Sequence, residues 1–309
     1  MTERPRLTLE QLRVFVAVAE RQHVTRAAAA LNLAQSAASA AVAALEARHH
    51  VRLFRRVGRG IALTEAGEAF LPEARAVLAR AEAAEAVLDD IVGLRRGRLA
   101  LHVSQTIAAY WLPRHLAAFH VAWPGVALHL AIGNTGQTAA AVRAGLVELG
   151  LVEGAVHDPL LEAVPLARDQ LLLVVPPGHR LATVRSVTAR DLRACAWVLR
   201  EPGSGTRSEF ESTLTRLGIA PGSLSVAQEL PSNESVRAAV EAGMGVAVLS
   251  AAVVAPSIEA GLLARAPLDL PARHFQALRL RERPMSRAAE ALLALMTATR
   301  SKARGSAPG

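Results

Sequence analysis

Four short polar segments of this chain have the residue types to hold a small molecule. They are Ser104-Gln105-Thr106, Gly133-Asn134-Thr135-Gly136-Gln137, Gly203-Ser204-Gly205-Thr206-Arg207 and Pro231-Ser232-Asn233-Glu234-Ser235. Each follows an apolar run of strand type and precedes a helical stretch. Backbone N–H groups at a helix start, with hydroxyls nearby, attract anions. Arg207 adds a guanidinium able to make a bidentate, charge-assisted contact. Serine and threonine also cap helices, so any one of these loops reads equally well as a cap. Four of them at equivalent places favour a polar, anion-accepting cleft. The candidate effector residues are therefore Ser104, Gln105, Thr106, Asn134, Thr135, Ser204, Thr206, Arg207, Asn233 and Ser235.

A second set points to a polyanion. Residues 1–63 carry ten Arg against four acidic residues, a net +6, while residues 64–96 sum to −3. The chain has one lysine and many alanines, so a general arginine excess competes with a DNA-binding reading of charge alone. The pattern of elements decides it. Residues 9–21 read as a helix, with Leu12, Phe15, Val16 and Ala19 on one face. A short helix over 26–31, capped by Thr25, and a third over 35–47 follow, with a break at Asn32-Leu33-Ala34. Two short helices joined by a tight turn match helix-turn-helix spacing. Strand candidates 51–54 and 60–63 flank an Arg- and Gly-rich turn and make a wing. Gln35, Ser36 and Ser39 lie away from the apolar side of the third helix and suit base or phosphate contact in a major groove. Arg26, Arg55, Arg56 and Arg59 suit the phosphate backbone or minor groove. His49-His50 suit the capping of helix-end carbonyls.

These residues need a scaffold of several parts. A helical pattern from Thr64 to about Arg95 is roughly 45 Å long at 1.5 Å per residue. Its stripe of Ala74, Val77, Leu78, Ala81, Ala84, Leu88 and Ile91 needs a partner, most simply the same helix of a second copy. From Gly97 short apolar runs alternate with helices: strands at 99–103, 126–132, 149–152, 171–175, 196–199 and 246–249, and helices at 108–123, 137–144, 207–217 and 235–242. This is α/β texture with a mainly parallel sheet, long enough for two lobes. The expected division is 1–63 winged helix-turn-helix, 64–96 linker and dimerisation helix, and 97–300 effector-binding domain. Its two lobes are 97–165 with 268–300, and 166–267. A disordered tail is expected over 301–309, with fraying from Thr297.

Residues 7–72 resemble the N-terminal region of LysR-type transcription regulators. The likeness rests on Leu9-Glu10-Gln11-Leu12, Arg26-Ala27-Ala28, the stretch 31–39, Leu45-Glu46, Arg52-Leu53-Phe54-Arg55-Arg56 and Leu63-Thr64-Glu65-Ala66-Gly67. The remainder is similar to that family's effector domain, with the two-lobed fold of periplasmic binding proteins. The family often has Ser or Thr where this chain has Ala34, so N-capping of the third helix is expected to fall to Ser36. The sensing segments, with Leu149-Gly150-Leu151-Val152-Glu153-Gly154, resemble the branch of sulfur-assimilation and carbon-fixation regulators. That implies a small oxyanion or carboxylate as effector and adds Glu153 to the candidate site. Beside an anion Glu153 is an awkward neighbour, to be paired with Arg207 or with an amine of the ligand.

Several functions are excluded. The chain has no G-x-S-x-G elbow, P-loop or G-x-G-x-x-G, and its ten His lack metal-ligand spacing, so neither enzyme, metal nor cofactor is expected. One cysteine, Cys195, permits no intrachain disulfide. With no export signal and no membrane span, a cytoplasmic protein is expected. The expectation is a promoter-binding regulator, dimeric or tetrameric, that contacts RNA polymerase and responds to a small anion held between two lobes. The rivals are a constitutive architectural DNA-binding protein and a simple small-molecule binding protein.

Overall fold

The computed structural model describes residues 7–58, 60–91 and 97–304. Along its length the chain divides near Leu88 into two compact units.

The first unit is built on helix α1 (Leu9–Arg21), which opens with a capping box. The Thr8 hydroxyl accepts from the Gln11 N–H, and the Gln11 side chain accepts from the Thr8 N–H. Val14, Ala17 and Val18 pack against α2 (Val24–Ala30) and α3 (Gln35–His49) through Ala27, Ala28 and Ala38. Leu12 and Phe15 pack instead with Leu45, Leu53 and Ala74. Helix α2 begins two residues before the expected start, behind an extended His23, and Thr25 caps nothing. Drawing Val24 into the core outweighs the missing cap. Ser36 does not cap α3 either: its N-cap is Ala34, with no side-chain acceptor. Helix α3 runs two residues past Ala47 and ends at His50, whose N–H bonds the carbonyls of Glu46 and Ala47.

The wing is shifted from its expected register. Strands β1 (Phe54–Val57) and β2 (Gly60–Leu63) pair antiparallel from Phe54–Leu63 to Val57–Gly60. Arg55 and Arg56 thus lie on a strand, not in the turn, and residues 51–53 form no strand. The cause is Glu46, a buried carboxylate that accepts from the N–H groups of Leu53 and Phe54. It holds the approach to the hairpin, and a tight connection through Gly58 at φ +57 closes it. Arg59 lies outside the described residues.

Helix α4 (Glu65–Ile91) is capped by the Thr64 hydroxyl, which accepts from the Gly67 N–H. A Cβ at Gly67 would strike the Leu53 carbonyl, so only glycine allows this approach. Of the expected stripe, Ala74 is buried and Leu78 packs against the same core, but Val77 is 45% exposed. The stretch 92–96 and the side chains of Leu88 and Ile91 lie outside the described residues.

The second unit holds two lobes. The first comprises β3 (Gly97–Ser104), α5 (Gln105–Tyr110), α6 (Pro113–Ala122), β4 (Val126–Gly133), α7 (Thr135–Arg143), β5 (Leu149–Glu153) and β6 (Leu161–Asp169). In the second follow β7 (Leu171–Val175), α8 (Ala189–Arg193), β8 (Ala196–Arg200), α9 (Gly205–Arg216), β9 (Ser225–Leu230), α10 (Asn233–Glu241), β10 (Ala247–Ser250), α11 (Ala251–Glu259) and β11 (Ala264–Ala266). The chain then returns to the first lobe as β12 (Arg273–Leu280) and α12 (Arg287–Arg304). The expected helix 108–123 is two helices, because Pro113 breaks the first and starts the second.

The first-lobe sheet has the order β4-β3-β5-β12-β6. Pairs β3–β4 and β3–β5 are parallel, but β12 runs antiparallel to β5 and β6. The sheet is therefore mixed, and the reason is topological: β12 enters only after the second lobe is complete. In that lobe β10-β7-β11 form one antiparallel ribbon and β8-β9 a parallel pair, joined by a Trp197–Val246 bridge. The expected lobe boundaries move as well. Residues 166–169 stay in the first lobe, since Asp169 pairs with Arg273 across β6 and β12. Leu268 and Leu270 pack in the second-lobe core. The two crossings are tied by the Gln170 side-chain amide, which donates to the Leu270 carbonyl at 2.8 Å. Helix α12 buries Ala289, Leu292 and Met296 and continues past Thr297 to Arg304, since no Gly or Pro stops it before Gly305. The last five residues lie outside the described ones. No single described helix is long and apolar enough to cross a membrane.

Candidate functional site

The polar loops converge where the two lobes meet. From the first lobe, the hydroxyls of Ser104 and Thr106 both donate to the Glu153 carboxylate, Thr106 at 2.8 Å. Thr135 donates to the Glu153 carbonyl at 3.0 Å. From the second lobe, Asn233 donates to the Thr106 hydroxyl at 3.0 Å and accepts from Arg200. Gln105 bridges to the Pro231 carbonyl and the Asn233 N–H. Asn134 donates to Glu201 and the Pro202 carbonyl, and the Gly136 N–H donates to the Gly203 carbonyl. The lobes are thus closed on each other through side chains that the loops supply.

Glu153 is 2% exposed and lies at the start of α5, where an external anion was expected. Its carboxylate takes the two hydroxyls that would otherwise greet a ligand. It does not pair with Arg207. That guanidinium bonds Glu211 at 2.7 Å, Glu229 at 2.8 Å and the Arg200 carbonyl at 3.0 Å, all within the second lobe. Glu211 stands one turn along the same helix and captures it. The cation near Glu153 is Arg273, at 4.0 Å. Arg273 also donates to Asp169 at 2.7 Å and to the Thr206 hydroxyl at 3.0 Å. Asp169 is held in turn by Ser250.

The sequence reading missed Arg273, Asp169 and Arg200. A signal was present for the first: Arg273 shares the inward phase of Phe275 along β12 and is 2% exposed. A charged residue in the buried phase of a strand marks a site. Ser204 starts α9 without capping it, and its hydroxyl is buried with no partner among the described residues. Ser235, by contrast, is committed to a capping box with Ser232. No described cluster of three or more His, Cys, Asp or Glu is arranged to hold a metal.

On the first unit, Gln35 and Ser36 are exposed and Ser39 is half-buried at the start of α3, with Gln35 donating to Ser39 at 2.9 Å. Arg26, Arg55 and Arg56 are exposed, and no described carboxylate pairs with them. Other arginines of this unit serve the fold, Arg52 on Glu46 and Arg75 on Glu20.

A winged helix-turn-helix joined to a two-lobed α/β domain with a polar cleft is the construction of a ligand-responsive DNA-binding protein. The family model "Bacterial regulatory helix-turn-helix protein, lysR family" matches residues 9–68, and the "LysR substrate binding domain" model matches 93–301. The chain belongs to the LysR family, whose members are transcriptional regulators and not enzymes. It is 32% identical over 272 residues to a probable RuBisCO transcriptional regulator of Cyanidioschyzon merolae, covering 87% of this chain and 89% of that one. It is 34% identical over 265 residues to YeiE, an uncharacterised HTH-type transcriptional regulator of Escherichia coli K12, covering 86% and 88%. Among solved structures, the CcmR regulatory domain of Synechocystis PCC6803 in complex with 2-PG matches with a TM-score of 0.61 at 26% identity, covering 66% of this chain and 97% of that one. Full-length CbnR with its target DNA shares the fold, with a TM-score of 0.69 at 24% identity over 96% and 100% of the two chains.

Proposed function

We propose that this regulator binds promoter DNA as a dimer or tetramer and is switched by a small anion held between the lobes of residues 97–300. Arg26, Gln35, Ser36, Ser39, Arg55, Arg56 and Arg59 form the DNA-reading surface. The effector residues are Ser104, Gln105, Thr106, Asn134, Thr135, Glu153, Ser204, Thr206 and Asn233. The observation that carries this reading is the two-sided hydrogen-bond network across the cleft, in which Thr106 of one lobe meets Asn233 of the other. A ligand that inserts there must re-pair those groups and change the angle between the lobes.

The likeness to a CcmR domain in complex with 2-PG supports a small-molecule effector, and the match of residues 9–68 to the lysR-family helix-turn-helix model supports the DNA-binding role. The long helix carries the change to the DNA-binding heads, altering DNA bending and contact with RNA polymerase in the cytoplasm. An effector acts only through unequal affinity for the two states. The test is thermal melting of the full chain against sulfate, sulfite, phosphate, phosphorylated sugars and carboxylates, followed by DNase footprinting. A ligand at about 100 times its Kd adds roughly 2.7 kcal/mol of stability. That ligand should alter the footprint or the bend angle. If it leaves both unchanged at saturation, the coupling is refuted.

A further inference from the structure

The chain has a single tyrosine, Tyr110, and it lies across the two lobes. It ends helix α5 of the first lobe. Its half-buried ring packs against second-lobe residues that include Val174, Val198, Val236 and Val253. Its hydroxyl donates to the Glu234 carboxylate in the first turn of α10 at 3.1 Å. The next residue, Trp111, turns the opposite way. It is buried in the first-lobe core, with its ring edge-on to Phe275. Two adjacent aromatic rings are therefore anchored in different lobes. Tyrosine suits this place because its ring gains from burial while its hydroxyl keeps a polar partner. No described cation pairs with Glu234. Arg237, one turn along α10, reaches the Val253 carbonyl at 3.5 Å and Glu241 at 3.4 Å instead. The phenol is the donor that meets the Glu234 side chain among the described residues.

Helix α5 thus holds the second lobe at both of its ends. Near its start, Gln105 and Thr106 make polar contacts with Pro231 and Asn233. Those groups can exchange each other for a ligand. Tyr110 has no such exchange. Withdrawing it from the second lobe exposes apolar surface on both sides and breaks its bond to a charged acceptor. It therefore favours the closed arrangement whether or not the polar groups are re-paired. We propose that Tyr110 is a resting latch, which holds the lobes shut from outside the effector residues and has to release before the angle between them changes. Glu234 fixes the phenol in place. The latch sets how far the ligand-free protein already occupies the open state, and so how much differential affinity an effector must supply. This inference rests on the effector-cleft reading above and names the restraint that the effector works against.

The test is hydrogen exchange of the full chain, read by mass spectrometry with no ligand added. Two cross-lobe amides report opening. Gly136 donates to the Gly203 carbonyl at 3.0 Å, and Asn233 donates to the Gln105 side chain at 3.3 Å. Strand β5, between β3 and β12 in the first-lobe sheet, reports unfolding instead. Tyr110→Phe keeps the ring and loses the hydrogen bond, so cross-lobe exchange should quicken ~10-fold. Tyr110→Ala loses the ring as well and should quicken it by a further ~10-fold. Glu234→Gln keeps a neutral acceptor and should quicken it only ~3-fold, since charge-assisted bonds are about twice as strong as neutral ones. Peptides of β5 should stay protected throughout the labelling in all three variants. Tyr110→Phe and Glu234→Gln, which preserve size, decide the matter if Tyr110→Ala fails to fold. The ligand-free DNase footprint of Tyr110→Phe and Tyr110→Ala should differ from that of the wild type. Wild-type exchange in Tyr110→Phe and Glu234→Gln, or cross-lobe uptake that appears only together with uptake in β5, overturns the latch and leaves the effector reading standing. Quickened exchange with a wild-type footprint upholds the latch and refutes the coupling of the lobes to DNA.

Discussion

The arginines of the two units are used in opposite ways. Arg26, Arg55 and Arg56 of the winged helix-turn-helix are exposed, with no carboxylate partner among the described residues. Arg200 and Arg273 of the cleft are 3% and 2% exposed, and nearly all of their donors are committed. A solvated cation keeps its hydration until a phosphate replaces it, so it can serve any stretch of DNA backbone. A buried cation must be matched donor by donor, so its surroundings define one ligand geometry. The first arrangement gives affinity without shape; the second gives shape.

The sharpest way to break this contrast is Arg273→Gln. It strands Asp169 without its cation, and breaking a buried pair from one side costs about 3–5 kcal/mol. Urea unfolding should register the full loss, and a loss under about 1 kcal/mol would show that the pair is solvated. Gly205→Ala comes next. A methyl pressed against the Glu153 carbonyl should cost roughly 1–3 kcal/mol or force the lobes apart. Melting together with small-angle scattering would detect either; no change in both would mean that the lobes are not held in contact there.

A smaller effect concerns pH. Burial lowers the pKa of His102, and burial followed by the Arg114 charge lowers that of His115. A depressed histidine stays neutral in the folded state while the unfolded chain binds protons from about pH 6.5 downward. Stability is therefore lost as the pH falls below that point. Urea midpoints at pH 7.5 and 5.5 should differ, and His102→Gln should narrow the gap; an equal gap would remove His102 from the account. Smallest is Arg207→Ala. It gives up partly exposed pairs worth at most about 1 kcal/mol, and a loss beyond about 2 kcal/mol would give Arg207 a structural weight that its contacts do not suggest.

The same contrast explains what could be read in the sequence. Helices α1 and α3 follow from spacing within a single stretch, and Leu12, Phe15, Ala38 and Leu45 are buried as that spacing requires. The wing slipped because its register depends on Glu46, whose reach to Leu53 and Phe54 no local pattern announces. The loop positions of Ser104, Thr106, Thr206 and Asn233 are legible because a strand, a polar loop and a helix follow one another in the chain. Arg273 and Asp169 were not: they meet each other across 104 residues and reach Glu153 and Thr206 only when β12 returns. Arg207 was chosen for its charge and its place in a loop. A glutamate one helical turn away had already claimed it.

The division of labour between exposed and buried arginines is tested most directly by the salt dependence of promoter binding. The wild type should be compared with a variant in which Arg26, Arg55 and Arg56 are all alanine. Every arginine withdrawn from a phosphate should flatten the plot of log K against log salt by about 0.9, so the slope should fall by roughly 2–3 for each protomer. Thermal stability should remain within about 0.5 kcal/mol, as for any free surface residue. An unchanged slope would contradict the account and place the DNA contacts on other residues.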